Sequence, residues 1–231
     1  MLDMTKVIRF VRKRTPFILI LYGAFIYFCS CSSRTASRVL SFMVRRSHTS
    51  ILSWFRSLSF LFIDKSLRGK VRLLLIDDTR VKVGSREVVL YVAFEPHLRR
   101  IVYMRFFDAA NMLTALIFIK KIRAIYGSRM MVLTDGAQYY RAACRMLNLR
   151  HYVYDLRARN LMERIVQYVK DRMGSFDDYI PCGRVECDRK HAEMLLSSIG
   201  FMVNEVWLGK CINVREFIEK ALPMIEAIKN A

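Results

Sequence analysis

Val71-Arg72-Leu73-Leu74-Leu75-Ile76-Asp77-Asp78-Thr79 is the stretch on which the fold turns. Four consecutive apolar residues bury both faces of a strand, as in the centre of a sheet covered on each side. A carboxylate ends the run at once. Met130-Met131-Val132-Leu133-Thr134-Asp135-Gly136 repeats the pattern and again ends on an acid. A third acid, Glu163, lies in Arg159-Asn160-Leu161-Met162-Glu163-Arg164-Ile165-Val166-Gln167-Tyr168-Val169-Lys170, whose apolar positions have helical spacing. Two carboxylates at strand ends and one on a later helix make an oxygen-rich set suited to a hard divalent cation.

The neighbouring segments set the order of elements. Residues 79–83, a Gly84-Ser85 turn and residues 87–94 read as a hairpin. Residues 100–106 are a third strand, and 111–126 a helix with Leu113, Leu116, Ile117 and Ile119 inward. Residues 130–134 are a buried strand, 138–147 a helix, 151–154 a short strand, and a helix starts near Asn160. Residues 189–204 and 214–228 read as two further helices. Three strands, helix, strand, helix, strand, helix is an α/β arrangement. It predicts a five-stranded mixed sheet flanked by helices, the ribonuclease H-like layout.

The charge narrows the partner. The chain has 231 residues and a formal net charge of +19, with a pI of about 10.1. Such an excess favours a polyanion: DNA, RNA or an anionic membrane. Residues 1–70 hold 13 Lys or Arg against 2 Asp or Glu, and residues 71–231 hold 26 against 18. The acid-poor first block suits contact with phosphates. The six cysteines follow no common zinc spacing; Cys182, Cys187 and His191 lack an evident fourth ligand. Reduced thiols in a cytoplasmic protein are expected.

After a basic arm, 1–14, a first helix is expected over 16–28, a second over 34–43 capped by Ser32 or Ser33, and a third over 49–58. In the third, Ile51, Trp54, Phe55 and Leu58 fall at i, i+3, i+4 and i+7 and face inward. Ser50, Ser53 and Arg56 lie opposite, with His48 at the entry. Helix, short turn and helix with Arg and Ser outward is the pattern of a helix-turn-helix reader. The alternative is a small bundle with a solvated basic face. The expected division is a basic helical domain, 1–58; a linker, 59–70; the catalytic core, 71–188; and C-terminal helices, 189–231, packed on the core or used as a dimer contact. The uncharged stretch 15–33 follows Arg12-Lys13-Arg14 and has the look of a leader or a membrane span. Its strongly apolar part, 17–28, is short and is broken by Gly23, so a buried first helix is the preferred reading.

These motifs resemble those of insertion-sequence DDE transposases. Ile76-Asp77-Asp78-Thr79 is similar to the first catalytic-aspartate motif, and Leu133-Thr134-Asp135-Gly136 with Tyr139 to the second. Arg159-Asn160-Leu161-Met162-Glu163-Arg164 with Lys170 resembles the third. Ser32 to Arg38 with Arg34, then Arg46-Ser47-His48-Thr49 and Trp54, resemble the helix-turn-helix of the compact insertion-sequence-six family. Three departures stand out. Asp78 takes the place of a usual Glu, which leaves open whether Asp77 or Asp78 is the first ligand; motif register and the apolar run favour Asp77. The 27 residues between Asp135 and Glu163 are fewer than is common in such enzymes. Phe94 stands where many relatives carry an acid.

The resemblance implies binding of element ends and metal-dependent DNA cleavage and strand transfer. Asp77, Asp135 and Glu163 would hold two Mg²⁺ or Mn²⁺ ions, and no small-molecule cofactor is implied. Arg34, Arg38, Arg45, Arg46, His48, Ser50, Ser53, Arg56, Arg164 and Lys170 would contact double-stranded DNA, both element ends and target. A homodimer or larger assembly on DNA is implied, in the cytoplasm and at the nucleoid when bound. Two other readings stay open: a catalytically inactive DNA-binding regulator or decayed copy, and a basic protein anchored through 15–33. Taken singly, Asp77 and Asp135 also read as caps or turn residues, and Glu163 as a first-turn dipole partner.

Overall fold

A computed structural model describes residues 15–173, 179–180, 189–211 and 213–229. The basic arm 1–14 and the pair Cys182 and Cys187 lie outside them. In chain order the described elements are α1 (Phe17–Ser30), α2 (Ser33–Leu40), α3 (His48–Ser57), β1 (Leu73–Val83), β2 (Arg86–Glu95), β3 (Arg100–Phe107), α4 (Met112–Tyr126), β4 (Met131–Thr134), α5 (Gln138–Met146), β5 (Arg150–Val153), α6 (Leu156–Lys170), β6 (Tyr179–Ile180), α7 (Arg189–Met202) and α8 (Val214–Lys229). The chain divides into two compact units, one of Met1–Phe62 with Arg189–Ala231, the other of Ile63–Asp188.

In the helical unit, serines set the helix starts. Ser32 Oγ accepts from the Thr35 amide at 3.2 Å, and Ser47 Oγ from the Ser50 amide at 3.3 Å. Each satisfies an amide that the first turn leaves without a helical partner. Ile51, Trp54, Phe55 and Leu58 are buried, the expected inward set. Gly23 is what lets α1 approach: a Cβ there would lie 3.3 Å from Ile51 Cδ1 and 3.4 Å from Leu40 and Trp54. The tail helices group with the helical unit. α7 packs on α1, α3 and the 3-10 turn Leu58–Leu61, and α8 packs on α1. Ser198 Oγ donates to the Arg56 carbonyl at 3.3 Å, and the rings of Phe25 and Phe217 stand 5.5 Å apart. The apolar face of the tail finds its cover on the apolar first helix. Among the described residues no helix is long and apolar enough to cross a membrane. α1 has 14 residues, which span about 21 Å against a hydrocarbon layer of about 30 Å.

In the sheet unit the strand order is β3-β2-β1-β4-β5. β1, β2 and β3 are antiparallel neighbours, while β4 and β5 run parallel to β1. The short β6 pairs with Lys82 and Val83 at the far end of β1. One face packs on α4 and α5: Leu74, Ile76, Tyr91 and Ala93 form a buried cluster with Phe118, Ile119, Tyr140 and Ala143. α6 packs on β1 and β2 with Met162, Ile165, Val166 and Val169 buried, none of them in that cluster, and so covers the other face. A mixed five-strand path with helices on both faces is the ribonuclease H-like fold.

Three local expectations change. β1 does not end at Asp77 but runs through it to Val83, because β2 pairs along its whole length, from Leu75↔Phe94 to Val83↔Arg86. α6 starts at Leu156, capped by Asp155, whose Oδ1 accepts from the Ala158 amide at 2.8 Å. In α4, Leu113 and Ile117 point outward, 60% and 39% exposed, while Ala115, Phe118, Ile119 and Ile122 are buried. The helix carries two apolar stripes, and the aromatic cluster of Tyr91 and Phe107 selects the one that brings Phe118 inward.

Candidate active site

Strand register brings the first two acids together. β1 and β4 pair at Leu73↔Met131, Leu74↔Val132 and Leu75↔Leu133. Two residues beyond the last pair, Asp77 lies within β1 and Asp135 directly follows the end of β4. Side chains alternate along a strand, so Asp77 shares the face of Leu75 and Asp78 that of Leu74 and Ile76. Asp77 therefore faces the side covered by α6, where Glu163 resides.

Asp135 sits on a tight turn. Gly136 has φ 95°, and a Cβ on it would lie 3.1 Å from Val153 Cγ2. Asp135 Oδ1 accepts from the Ala137 amide at 3.0 Å. The Asp135 side chain does not cap α5, whose N-cap is Ala137. Buried Thr134 holds the strand end: its Oγ1 accepts from the Gly136 amide and lies 2.8 Å from His151 Nε2 on β5. Burial, then the Arg141 charge, hold His151 below its ordinary value, against the pull of Asp135.

Glu163 is exposed and lies two turns into α6, which removes the first-turn dipole explanation. Asp77 feels the charges of the other two acids. Its carboxyl is pushed up to about 6, first by burial and then by the charges of Asp78, Asp135 and Glu163, against the Asp78 amide that donates to it at 2.9 Å. Among the described residues no three His, Cys, Asp or Glu side chains stand close enough to hold a metal ion. The donors are thus of the right type and mutually repelling, but not closed around one point.

Asp78 is engaged on the opposite face. Its Oδ1 accepts from Tyr139 Oη at 2.6 Å and from Tyr140 Oη at 2.5 Å. Burial first, then Asp78, raises both phenols. This ties β1 to the helix that follows Asp135. The sequence signal for it was the Tyr139-Tyr140 doublet one turn after the second acid, of which only Tyr139 entered the motif.

The candidate DNA-contacting residues fall on both units. On α6, Arg164 is exposed and Lys170 half-buried. In the helical unit Arg34, Arg38, Arg45, His48 and Ser53 are exposed, and Ser50 and Arg56 are half-buried. Arg46 is held in place: its Nε donates to Thr15 Oγ1 at 2.9 Å, and its carbonyl accepts from Ser37 Oγ.

No protein-family model matches the chain. An uncharacterized protein of Methanocaldococcus jannaschii is 23% identical over 172 residues, covering 74% of this chain and 80% of that protein. Among solved structures, the catalytic core domain of BIV integrase is 15% identical with a TM-score of 0.41, over 58% of this chain and 84% of that one. The HTLV-2 integrase catalytic core domain in complex with magnesium (dimeric form) is 14% identical with a TM-score of 0.42, over 60% and 91%. A simian T-cell lymphotropic virus intasome has the same identity and score, over 80% and 69%. Strand order and register, rather than these likenesses, define the fold.

Proposed function

We propose that this chain is a metal-dependent polynucleotidyl transferase of the DDE class, an insertion-sequence transposase that cleaves DNA at element ends and joins them to target DNA. The observation that supports the reading is the parallel register of β1 and β4, whose last pair lies two residues before Asp77 and Asp135, together with the charges of Asp135 and Glu163 that act on Asp77. Asp77, not Asp78, is the first ligand in this proposal, since both tyrosine hydroxyls already occupy Asp78 Oδ1. Carboxylate oxygens suit Mg²⁺ or Mn²⁺, and a dication relieves the repulsion that raises Asp77. When bound, the ions supply charge that activates an attacking water or 3′-hydroxyl and stabilises the leaving oxygen.

The chain's own residues do the rest. Asp135 is presented by a glycine turn next to Thr134, which is tied to β5, and Glu163 by a capped helix. Arg164 and Lys170, on the same helix as Glu163, hold phosphates near the scissile bond. Arg34, Arg38, Arg45, Arg46, His48, Ser50, Ser53 and Arg56 form the helix-turn-helix contact with element ends. A homodimer or larger assembly supplies one active site for each end.

The test is Mg²⁺- or Mn²⁺-dependent cleavage and strand transfer on DNA carrying the gene's own flanking ends. Wild type cleaves and joins; Glu163→Gln binds the same DNA without chemistry. Cleavage undiminished in the variant overturns the assignment. DNA binding without chemistry in both proteins supports a second reading, a regulator or decayed copy.

A further inference from the structure

The opposite end of the same sheet carries a different kind of surface. β1, β4 and β5 are parallel, so their amino ends lie together, roughly 13 Å of strand rise away from Asp77. There a cleft of about 800 Å³ opens, with Arg68, Arg72, Arg129 and Arg150 around an apolar floor that includes Val71 and Leu149. No aspartate or glutamate is among the described residues that line it. All four arginines are exposed, and none has an ion pair or side-chain hydrogen bond among the described residues.

Arginines near helix carboxyl ends have an ordinary explanation, because the terminal carbonyls carry partial negative charge. Arg129 follows the end of α4 and Arg150 the end of α5, so this accounts for two of the four. Arg72 precedes β1, and Arg68 closes a 3-10 turn of only three residues, too short for an appreciable dipole. Four like charges around one concavity repel one another, and an anion that bridges them removes that cost. Guanidinium forks match phosphate oxygens in pairs. The cleft is far larger than one phosphate, and its cations come from three separate segments of the chain, a spread that suits successive phosphates of a strand.

We propose that this cleft is a second phosphodiester-binding site, which takes the backbone of a nucleic-acid strand at the end of the sheet opposite the carboxylates. It rests on the nucleic-acid reading above, and it gives a core that must handle two DNAs a surface for the second.

The experiment uses the full chain and a duplex of arbitrary sequence, with affinity measured by fluorescence anisotropy across roughly 50 to 300 mM salt, the range over which counterion release is read. Wild type is compared with Arg72→Ala/Arg129→Ala/Arg150→Ala and with Lys120→Ala/Lys121→Ala, two exposed cations outside the cleft. The slope of log affinity against log salt falls by roughly 2 to 3 in the triple variant, about 0.9 for each phosphate no longer neutralised, and by less than about 1 in the lysine pair. Circular dichroism confirms that the triple variant is folded. A fluorophore on Ser128→Cys, at the cleft, in a chain whose Cys29, Cys31, Cys182 and Cys187 are replaced by serine, responds to duplex at concentrations where inorganic tripolyphosphate has no effect. An unchanged slope in the triple variant, with wild type binding DNA, overturns the cleft and spares the functional reading. A label that responds to tripolyphosphate but not to duplex overturns the strand as ligand. Failure of wild type to bind DNA at any salt overturns both.

Discussion

Replacing Asp77 by asparagine stabilises this protein in the absence of divalent ions, and the gain depends on pH. The carboxyl of Asp77 moves from an ordinary value of 3.8 to about 6, because burial and then three neighbouring acids disfavour its charge. A group raised on folding contributes stability that is present below its unfolded value and is lost as pH rises through its folded value. Here the loss runs from about pH 4 to about pH 6, and above that the native state carries the full penalty of an unwelcome charge. A shift of about two units corresponds to about 3 kcal/mol. Asp77 is only half-buried, and solvent screening reduces the figure to about 1–2 kcal/mol. Asparagine is isosteric, keeps the oxygen that accepts from the Asp78 amide, and never ionises. Urea unfolding in EDTA at about pH 3.5 and about pH 8 measures the difference. Asp77→Asn gains about 1–2 kcal/mol at the higher pH and close to nothing at the lower. An equal gain at both values, or a loss at the higher one, refutes the electrostatic account. Adding Mg²⁺ then stabilises wild type and not the variant, since the ion removes the same repulsion the substitution does.

Other outcomes follow from single contacts. Tyr140→Phe removes one charge-assisted hydrogen bond from Asp78 and costs about 1.5–3 kcal/mol in chemical denaturation, and adding Tyr139→Phe costs more because Asp78 Oδ1 is then left without either donor. Gly23→Val overpacks the contact of α1 with Ile51, Leu40 and Trp54 and lowers stability by about 1–3 kcal/mol, read in the same way. The Cys144 thiol, pushed up to about 11 by burial, stays unmodified by a thiol reagent near neutral pH in the folded protein and reacts after unfolding, as mass spectrometry of its peptide will show.

Much of the sheet was legible because its strands are unusually apolar. Val71 to Ile76 and Met130 to Leu133 leave little choice but buried strands, and Gly84-Ser85 marks the hairpin between β1 and β2. A serine cap at Ser32 or Ser33 announced the start of α2, whereas the Ser47 cap of α3 emerged only in the structure. Periodicity failed where it offered two answers. α4 has apolar residues on two stripes, and only the aromatic cluster on the sheet decides which is buried. The tail helices are amphipathic, but nothing local says whether their partner is the sheet or the first helix.

The three acids were visible as a pattern, and their meeting depends on pairings between residues far apart in the chain. Sequence alone determined that Asp77 and Asp135 follow apolar runs, that Glu163 lies on a helix, and that the chain is strongly basic. Motif register and the apolar run favoured Asp77 over Asp78, but no local property said what either side chain faces. The tertiary structure separates them. Alternation along β1 sends Asp77 toward the face of α6 and Asp78 toward α5, where two tyrosine hydroxyls hold it. Which of two neighbouring carboxylates feels Asp135 and Glu163 is set by the face of the sheet, and a face exists only once strands have paired and helices have covered them.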